Sequence, residues 1–323
     1  MEIEHSNAEL RKPAVRYVEI SPDEAGQRVD NFLLGRLKGV PRSHVYRLLR
    51  KGEVRVNSGR VGAKYRLQAG DRVRIPPVRV RAGGAEPALA AGAGELEQRI
   101  VFEDKGLLVL DKPSGMAVHG GSGLSYGVIE ALRAIRPDAP YLELVHRLDR
   151  DTSGCLLVAK RRSMLRSLHE MLRAGEIEKR YLALVAGSWQ MGKRRIEVPL
   201  KTHQRRGGER RVTPAAEGKA SSSLFRPLDF FTGATLMEVS LETGRTHQIR
   251  VHAADCGHPV AGDQKYGEPR FNREMSKLGL ERIFLHANAI GFNHPISGDP
   301  FQVSAPLGED LRTVLNALEA RRG

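Results

Sequence analysis

The 323-residue chain holds two cysteines, Cys155 and Cys256, and no CxxC pair. Two isolated thiols exclude a disulfide framework and a paired-thiolate zinc site, and they suit a reducing compartment. No apolar run approaches the ~18 residues that span a bilayer. The opening segment, MEIEHSNAELRKP, lacks the apolar core of a signal peptide. Neither GxxxxGK(S/T) nor GxGxxG occurs, so the Gly-rich VHGGSG (118–123) reads as a structural turn beside a cleft. HExxH is missing as well, and no metal is expected. With 40% hydrophobic and 28% charged residues, the expectation is a soluble, globular, cytoplasmic protein.

Acidic residues are scarce in one place. Between Arg28 and Pro77 stand 13 Lys plus Arg against three acids, a net +10 of the chain's formal +14. Such a balance points to a polyanionic partner. The segment also has a foldable pattern. SHVYRLLRKG (43–52) predicts a helix capped by Ser43 and stopped at Gly52, with Val45, Leu48 and Leu49 on one face. EVRVN (53–57) and DRVRIP (71–76) alternate as half-buried strands do. A small basic α+β module over 17–78 follows, with Arg42, Arg47, Arg50, Lys51 and Arg55 as candidate RNA contacts. Aromatics are few here, which favours phosphate contact over base stacking. VDNFLLGRLKGVPRSHVYRLLRKGEVRVNSGRV and AGDRVRIP resemble the small RNA-binding module shared by a small-subunit ribosomal protein, tyrosyl-tRNA synthetases and several RNA-modifying enzymes. That resemblance implies RNA binding and no reaction.

Residues 79–97, rich in Ala and Gly, read as a linker. Residues 98–323 form a second domain. LLVLDKP, CLLVAK, KRYLALVAG and ATLMEVSL are strand-like, while SYGVIEALRAI, RSMLRSLHEMLRAG and EDLRTVLNALEARR are amphipathic helices. The two element types mix without strict βαβ alternation, which predicts an α+β domain with a mixed or antiparallel sheet.

Two polar clusters interrupt this apolar framework: HRLDRDTSG (146–154) and TGRTHQIRVH (243–252). Polar groups between buried strands need partners, and a carboxylate of one cluster pairing with an arginine of the other is a natural arrangement. Several chemistries fit. His247, His252, Cys256 and His258 could ligate a metal. Ser153 could be a nucleophile, although TSG is not the GxSxG elbow. Asp149 or Asp151 could be a lone essential carboxylate, and strand-edge alternation puts only one of the two in a cleft. A purely structural Arg–Asp network is the remaining alternative.

HRLDRDTSG resembles the signature of the RluA-type pseudouridine synthases. LDKPSGMAVHGG (110–121), KRYLALVAG (179–187), TGRTHQIRVH, GDQKYG (262–267) and LHA (285–287) match that family in the same order. The resemblance implies a cofactor-free isomerisation of uridine to pseudouridine in 23S ribosomal RNA. It implies Asp149 as the catalytic aspartate, and it gives no role to Asp151. Arg245 would be the ion-pair partner of Asp149, Tyr181 would pack on the target base, Arg147 would enter the RNA stack, and Ile249 would form an apolar wall. A monomer is expected. A non-catalytic RNA-binding or ribosome-assembly factor, and a nuclease, are the competing functions.

Overall fold

The structure is a computed structural model that describes residues 14–37, 40–78, 93–120, 126–204 and 210–321. The chain divides into two compact units, residues 1–88 and 89–323. The first contains β1 (Arg16–Glu19), α1 (Val29–Arg36), α2 (Arg42–Lys51), β2 (Arg55–Val56), β3 (Gly59–Arg60) and β4 (Arg72–Ile75). The second begins with α3 (Ala93–Gln98), β5 (Ile100–Glu103), β6 (Leu107–Lys112), α4 (Val128–Ile135), β7 (Glu143–Leu144), β8 (Ser153–Ala159) and α5 (Arg162–Ala174). It continues with β9 (Glu178–Ala186), β10 (Arg194–Glu197), β11 (Leu200–Gln204), β12 (Arg210–Pro214), β13 (Ser222–Phe231) and β14 (Ala234–Leu241). It closes with α6 (Gln248–Asp255), α7 (Pro269–Ser276), β15 (Leu285–Asn293), β16 (Pro300–Ser304) and α8 (Glu309–Glu319).

In the first unit four short strands order as β1-β4-β2-β3. Val54, Val56, Val73 and Ile75 alternate inward and meet Val45, Leu48 and Leu49 of α2 and Phe32 and Leu33 of α1. Helix α2 ends where Gly52 takes the left-handed conformation, φ 69°. Its start differs from the expectation. Pro41 is the N-cap residue and Ser43 lies inside the first turn. The fixed φ of Pro41 and its extended ψ set the entry before Ser43 is reached. Two of the three acids in the basic stretch are spent internally. Asp30 is buried and accepts from Arg28 Nη2 (2.5 Å) and the Tyr46 hydroxyl (2.8 Å). Asp71 accepts from Asn57 Nδ2 (2.8 Å) and the Gln68 N–H (2.8 Å). Arg47, Arg50, Lys51 and Arg55 are exposed. Arg42 opens α2, and its side chain lies outside the described residues.

The second unit is built on a ten-stranded sheet, β10-β13-β14-β9-β15-β8-β6-β5, with β16 on β15 and β7 on β8. The β8–β15 pair is parallel and the other described pairs of this sheet are antiparallel. All seven residues of β8 are buried, because helices cover both faces there. Leu156 and Val158 join α4 and α6 on one side. Cys155, Leu157 and Ala159 join α5 on the other. A third cluster packs α7 and α8 against Leu184, Ala186 and Phe284.

The linker differs at its C-terminal end. Residues 79–92 lie outside the described residues, but 93–98 form α3, whose Leu96 is buried against the α4 face. The cause is the apolar Leu96 within an otherwise polar AGELEQ run. Part of VHGGSG also lies outside the described residues. Its Gly120 N–H donates to Glu130 of α4 (3.1 Å).

Candidate active site

The HRLDRDTSG loop runs from β7 into β8 and is fixed along its length. The Val145 N–H donates to the Leu157 carbonyl (3.0 Å), and the Leu157 N–H donates back to His146 Nε2 (3.1 Å). Burial pushes His146 down to about 4, so the ring is neutral and free to accept. Lys112, fully buried at the end of β6, donates to the carbonyls of Pro113 (2.7 Å), Met116 (2.8 Å) and Arg150 (2.9 Å). Burial pushes its ammonium down to about 7, while three carbonyl acceptors match its three N–H donors. The Ser114 hydroxyl donates to the Asp151 carbonyl (2.7 Å), and the Thr152 N–H donates to the Asp149 carbonyl (3.2 Å). Gly154 has φ 106°, and a Cβ there would collide with the Ala287 backbone on β15. The parallel junction therefore requires glycine.

Asp149 emerges from this loop into a cleft lined also by Arg147, Tyr181, Leu241, Arg245, His247, Ile249 and Leu285. Its side chain is 21% exposed. Its Oδ2 lies 3.6 Å from Arg250 Nη1 and 3.8 Å from His247 Nε2. Arg250 is held in turn. Its Nε and Nη2 donate to the two oxygens of Asp263, each at 2.7 Å. Burial pulls Asp263 up, but Arg250 and the N–H groups of Lys265 and Tyr266 outweigh it and hold the carboxyl below the usual range. A planar fork aimed by one carboxylate at a second is a rigid arrangement.

The cleft gathers the two polar clusters, as their sequence setting suggested, but with a different arginine. Arg245 is exposed, and its Nε donates to the Ala220 carbonyl (3.0 Å). Among the described residues, the arginine at ion-pair distance from Asp149 is Arg250. The chain turns through a left-handed residue, His247 (φ 55°), before α6 starts at Gln248. Arg245 precedes that turn, and Arg250 follows it on α6. Gln248 secures the turn: its Oε1 accepts from Thr243 Oγ1 (2.7 Å) and the Arg245 N–H (3.0 Å). Tyr181, on β9, is 7% exposed, and burial pushes its phenol up. Ile249 is buried, Arg147 is exposed, and Asp151 pairs with Arg150 (2.9 Å) outside the cleft lining.

The competing chemistries find little support in this geometry. The Ser153 hydroxyl contacts His286 Nδ1 (2.9 Å), but both residues are buried outside the cleft lining and the ring's Nε2 faces the Ala305 carbonyl (3.1 Å). His252 and His258 are engaged with Ser221 (2.9 Å) and the Ala186 carbonyl (2.7 Å). Among the described residues no three His, Cys, Asp or Glu side chains are grouped to hold a metal ion. Arg250, Asp263 and Tyr266 carry no role in the reading of the sequence, and His247 enters it only as a possible metal ligand. All four lie within the quoted TGRTHQIRVH and GDQKYG segments, and that placement was the available signal.

The profile of the RNA pseudouridylate synthase family matches residues 106–255, and that of the S4 domain matches residues 27–73. The chain belongs to the RluA-type RNA pseudouridine synthases, which are isomerases. It is 55% identical to ribosomal large subunit pseudouridine synthase C of Pasteurella multocida, over 96% of this chain and 95% of that one. It is 54% identical to the protein of the same name from Escherichia coli K12, over 96% and 98%. The fold is also that of human RNA pseudouridylate synthase domain containing 4: TM-score 0.59, 23% identity, 71% of this chain and 96% of the other. Among the described residues no helix is long and apolar enough to cross a membrane.

Proposed function

We propose that this isomerase converts uridine to pseudouridine in 23S ribosomal RNA, with Asp149 as the catalytic group. The observation that carries this reading is one carboxylate, fixed by its loop, facing Arg250 in a cleft walled by Tyr181 and Ile249. The names of the relatives supply the RNA class.

The reaction breaks the C1′–N1 bond, turns the uracil ring, and forms a C1′–C5 bond. The hydrogen on C5 leaves to solvent and N1 ends protonated, so no redox equivalent is consumed. Asp149 sits where it can take a proton from the sugar, attack it, or stabilise positive charge at C1′. Arg250 orients the carboxylate. The target uridine leaves its stack to enter the cleft, at a cost of a few kcal/mol. Packing of the uracil on Tyr181 offsets roughly 1–3 kcal/mol of this. Exposed Arg147 fills the vacated stack, and Arg245, at the rim, meets the RNA backbone. Arg42, Arg47, Arg50, Lys51 and Arg55 of the S4 domain add phosphate contacts. Ribosomal RNA as substrate places the enzyme in the cytoplasm. The enzyme acts as a monomer in this reading.

Asp149→Asn is expected to abolish pseudouridine formation on 23S rRNA while leaving RNA affinity within about twofold, since only the reacting carboxylate is changed. Near wild-type turnover by this variant would refute the assignment.

A further inference from the structure

We propose that His247 is a positioning residue for Asp149, and that Tyr266, itself bonded to β12, fixes its tautomer. The inference rests on the reading of Asp149 as the reacting carboxylate. Among the described residues three non-glycines have positive φ: Asn57, Ser58 and His247. The first two form the tight turn between β2 and β3, where such angles are ordinary. His247 has no hairpin to explain it. Its left-handed backbone sends the ring between Asp149 and Tyr266, which is the kind of local strain that marks a constrained site.

A hydrogen-bond inventory assigns the protons. The Tyr266 oxygen accepts the Val212 N–H of β12 (2.9 Å) and lies 2.8 Å from His247 Nδ1. With the Val212 N–H on one lone pair of that oxygen, the Tyr266 hydroxyl proton is directed at Nδ1. Burial lowers the His247 ring, more than Asp149 raises it, with Arg250 and Lys265 adding to the lowering and Asp263 opposing it. A neutral ring that accepts at Nδ1 carries its proton on Nε2. That atom is the one 3.8 Å from Asp149 Oδ2. The other tautomer would turn a lone pair toward the carboxylate. Asp149 is thus flanked by two N–H donors, Arg250 and His247, and each is braced by a residue of the 263–266 turn.

The hairpin is the far end of this chain of contacts. Val212 is buried with Leu200 against Val251 of α6, in a small apolar cluster of its own. Lys201 and Arg211 on the same hairpin are exposed.

The test uses the full chain and 23S rRNA from cells lacking the gene, labelled with tritium at uridine C5. Each turnover releases that tritium. His247→Leu is expected to lower kcat about a hundredfold with KM unchanged, and Tyr266→Phe about tenfold. His247→Gln, which keeps an N–H donor at similar reach, recovers most of the loss. Imidazole ¹⁵N shifts should report an unprotonated Nδ1 at position 247 in the wild type and a mixed tautomer in Tyr266→Phe. Should the leucine variant not fold, the near-isosteric phenylalanine variant carries the test. Wild-type kcat in the folded variants, or a protonated Nδ1 in the wild type, overturns the proposal. If the wild type binds the RNA and releases no tritium, the reading of Asp149 fails instead, and the tautomer alone decides the inference.

Discussion

In the first unit Arg47, Arg50 and Lys51 project into solvent, whereas in the second Arg250 is 13% exposed and gripped by both oxygens of Asp263. Acids are handled in opposite ways too. Asp30 and Asp71 are buried inside the S4 domain, Asp30 on Arg28, and neither pairs with Arg47, Arg50 or Lys51. Asp263 is placed to oppose one particular arginine. Exposed cations act as a sum: each adds a little affinity, and salt weakens them all. A buried, forked arginine acts through one geometry, and its loss is not shared out.

The contrast is broken most severely at Asp263. Asp263→Ala leaves a buried guanidinium without its partner, and a loss of about 3–5 kcal/mol is expected in urea unfolding. Turnover should collapse with it, because Arg250 is no longer aimed at Asp149. A folded variant with wild-type turnover would mean that the fork is dispensable.

Next in size is an effect of protons confined to the second unit. The His146 ring has its folded pKa depressed from 6.5 to about 4. The unfolded chain therefore takes up a proton that the folded chain refuses. The stability of this unit is complete above about 6.5 and falls as pH drops toward 4, by on the order of 3 kcal/mol. His146→Gln, whose carbonyl can still accept from Leu157, should flatten that acid limb in thermal melts followed from pH 7 to 4. An unchanged limb would show that His146 is not its source.

The smallest effect is expected from the exposed cations. Neutralising Arg47, Arg50 and Lys51 together should raise KM for RNA several-fold and leave kcat unchanged. It should also flatten the salt dependence of binding, by roughly 0.7–0.9 in slope for each phosphate that no longer meets a cation. A fall in kcat instead would tie the two units more closely than this division of labour allows.

The elements with strong periodicity were legible in the sequence: α2, α5, α8, β8, β9 and β14 lie where the apolar patterns put them. The mixed sheet was legible as a class, but the parallel β8–β15 junction was not. It pairs Ser153 with His286, 133 residues further on, beside a glycine whose φ is a tertiary property. The start of α2 was misread because Ser43 is a good cap by type, while Pro41 two residues earlier already directs the chain. The motifs located the cleft. They did not reveal which arginine faces Asp149, because that depends on the left-handed turn at His247 and on where α6 begins. The partnership of His247 with Tyr266 stayed hidden because it spans two segments and one hairpin, none of which is periodic.

The clamp around HRLDRDTSG has a consequence for substrate choice. Lys112 on three carbonyls, Ser114 on a fourth, His146 on a backbone N–H and Gly154 against β15 hold the loop before any RNA arrives. Little of the enzyme is left to adapt at this point, so the adapting falls to the RNA. Uridines would then be sorted less by the letters around them than by how cheaply their strand can be bent and unstacked to fit a rigid mould.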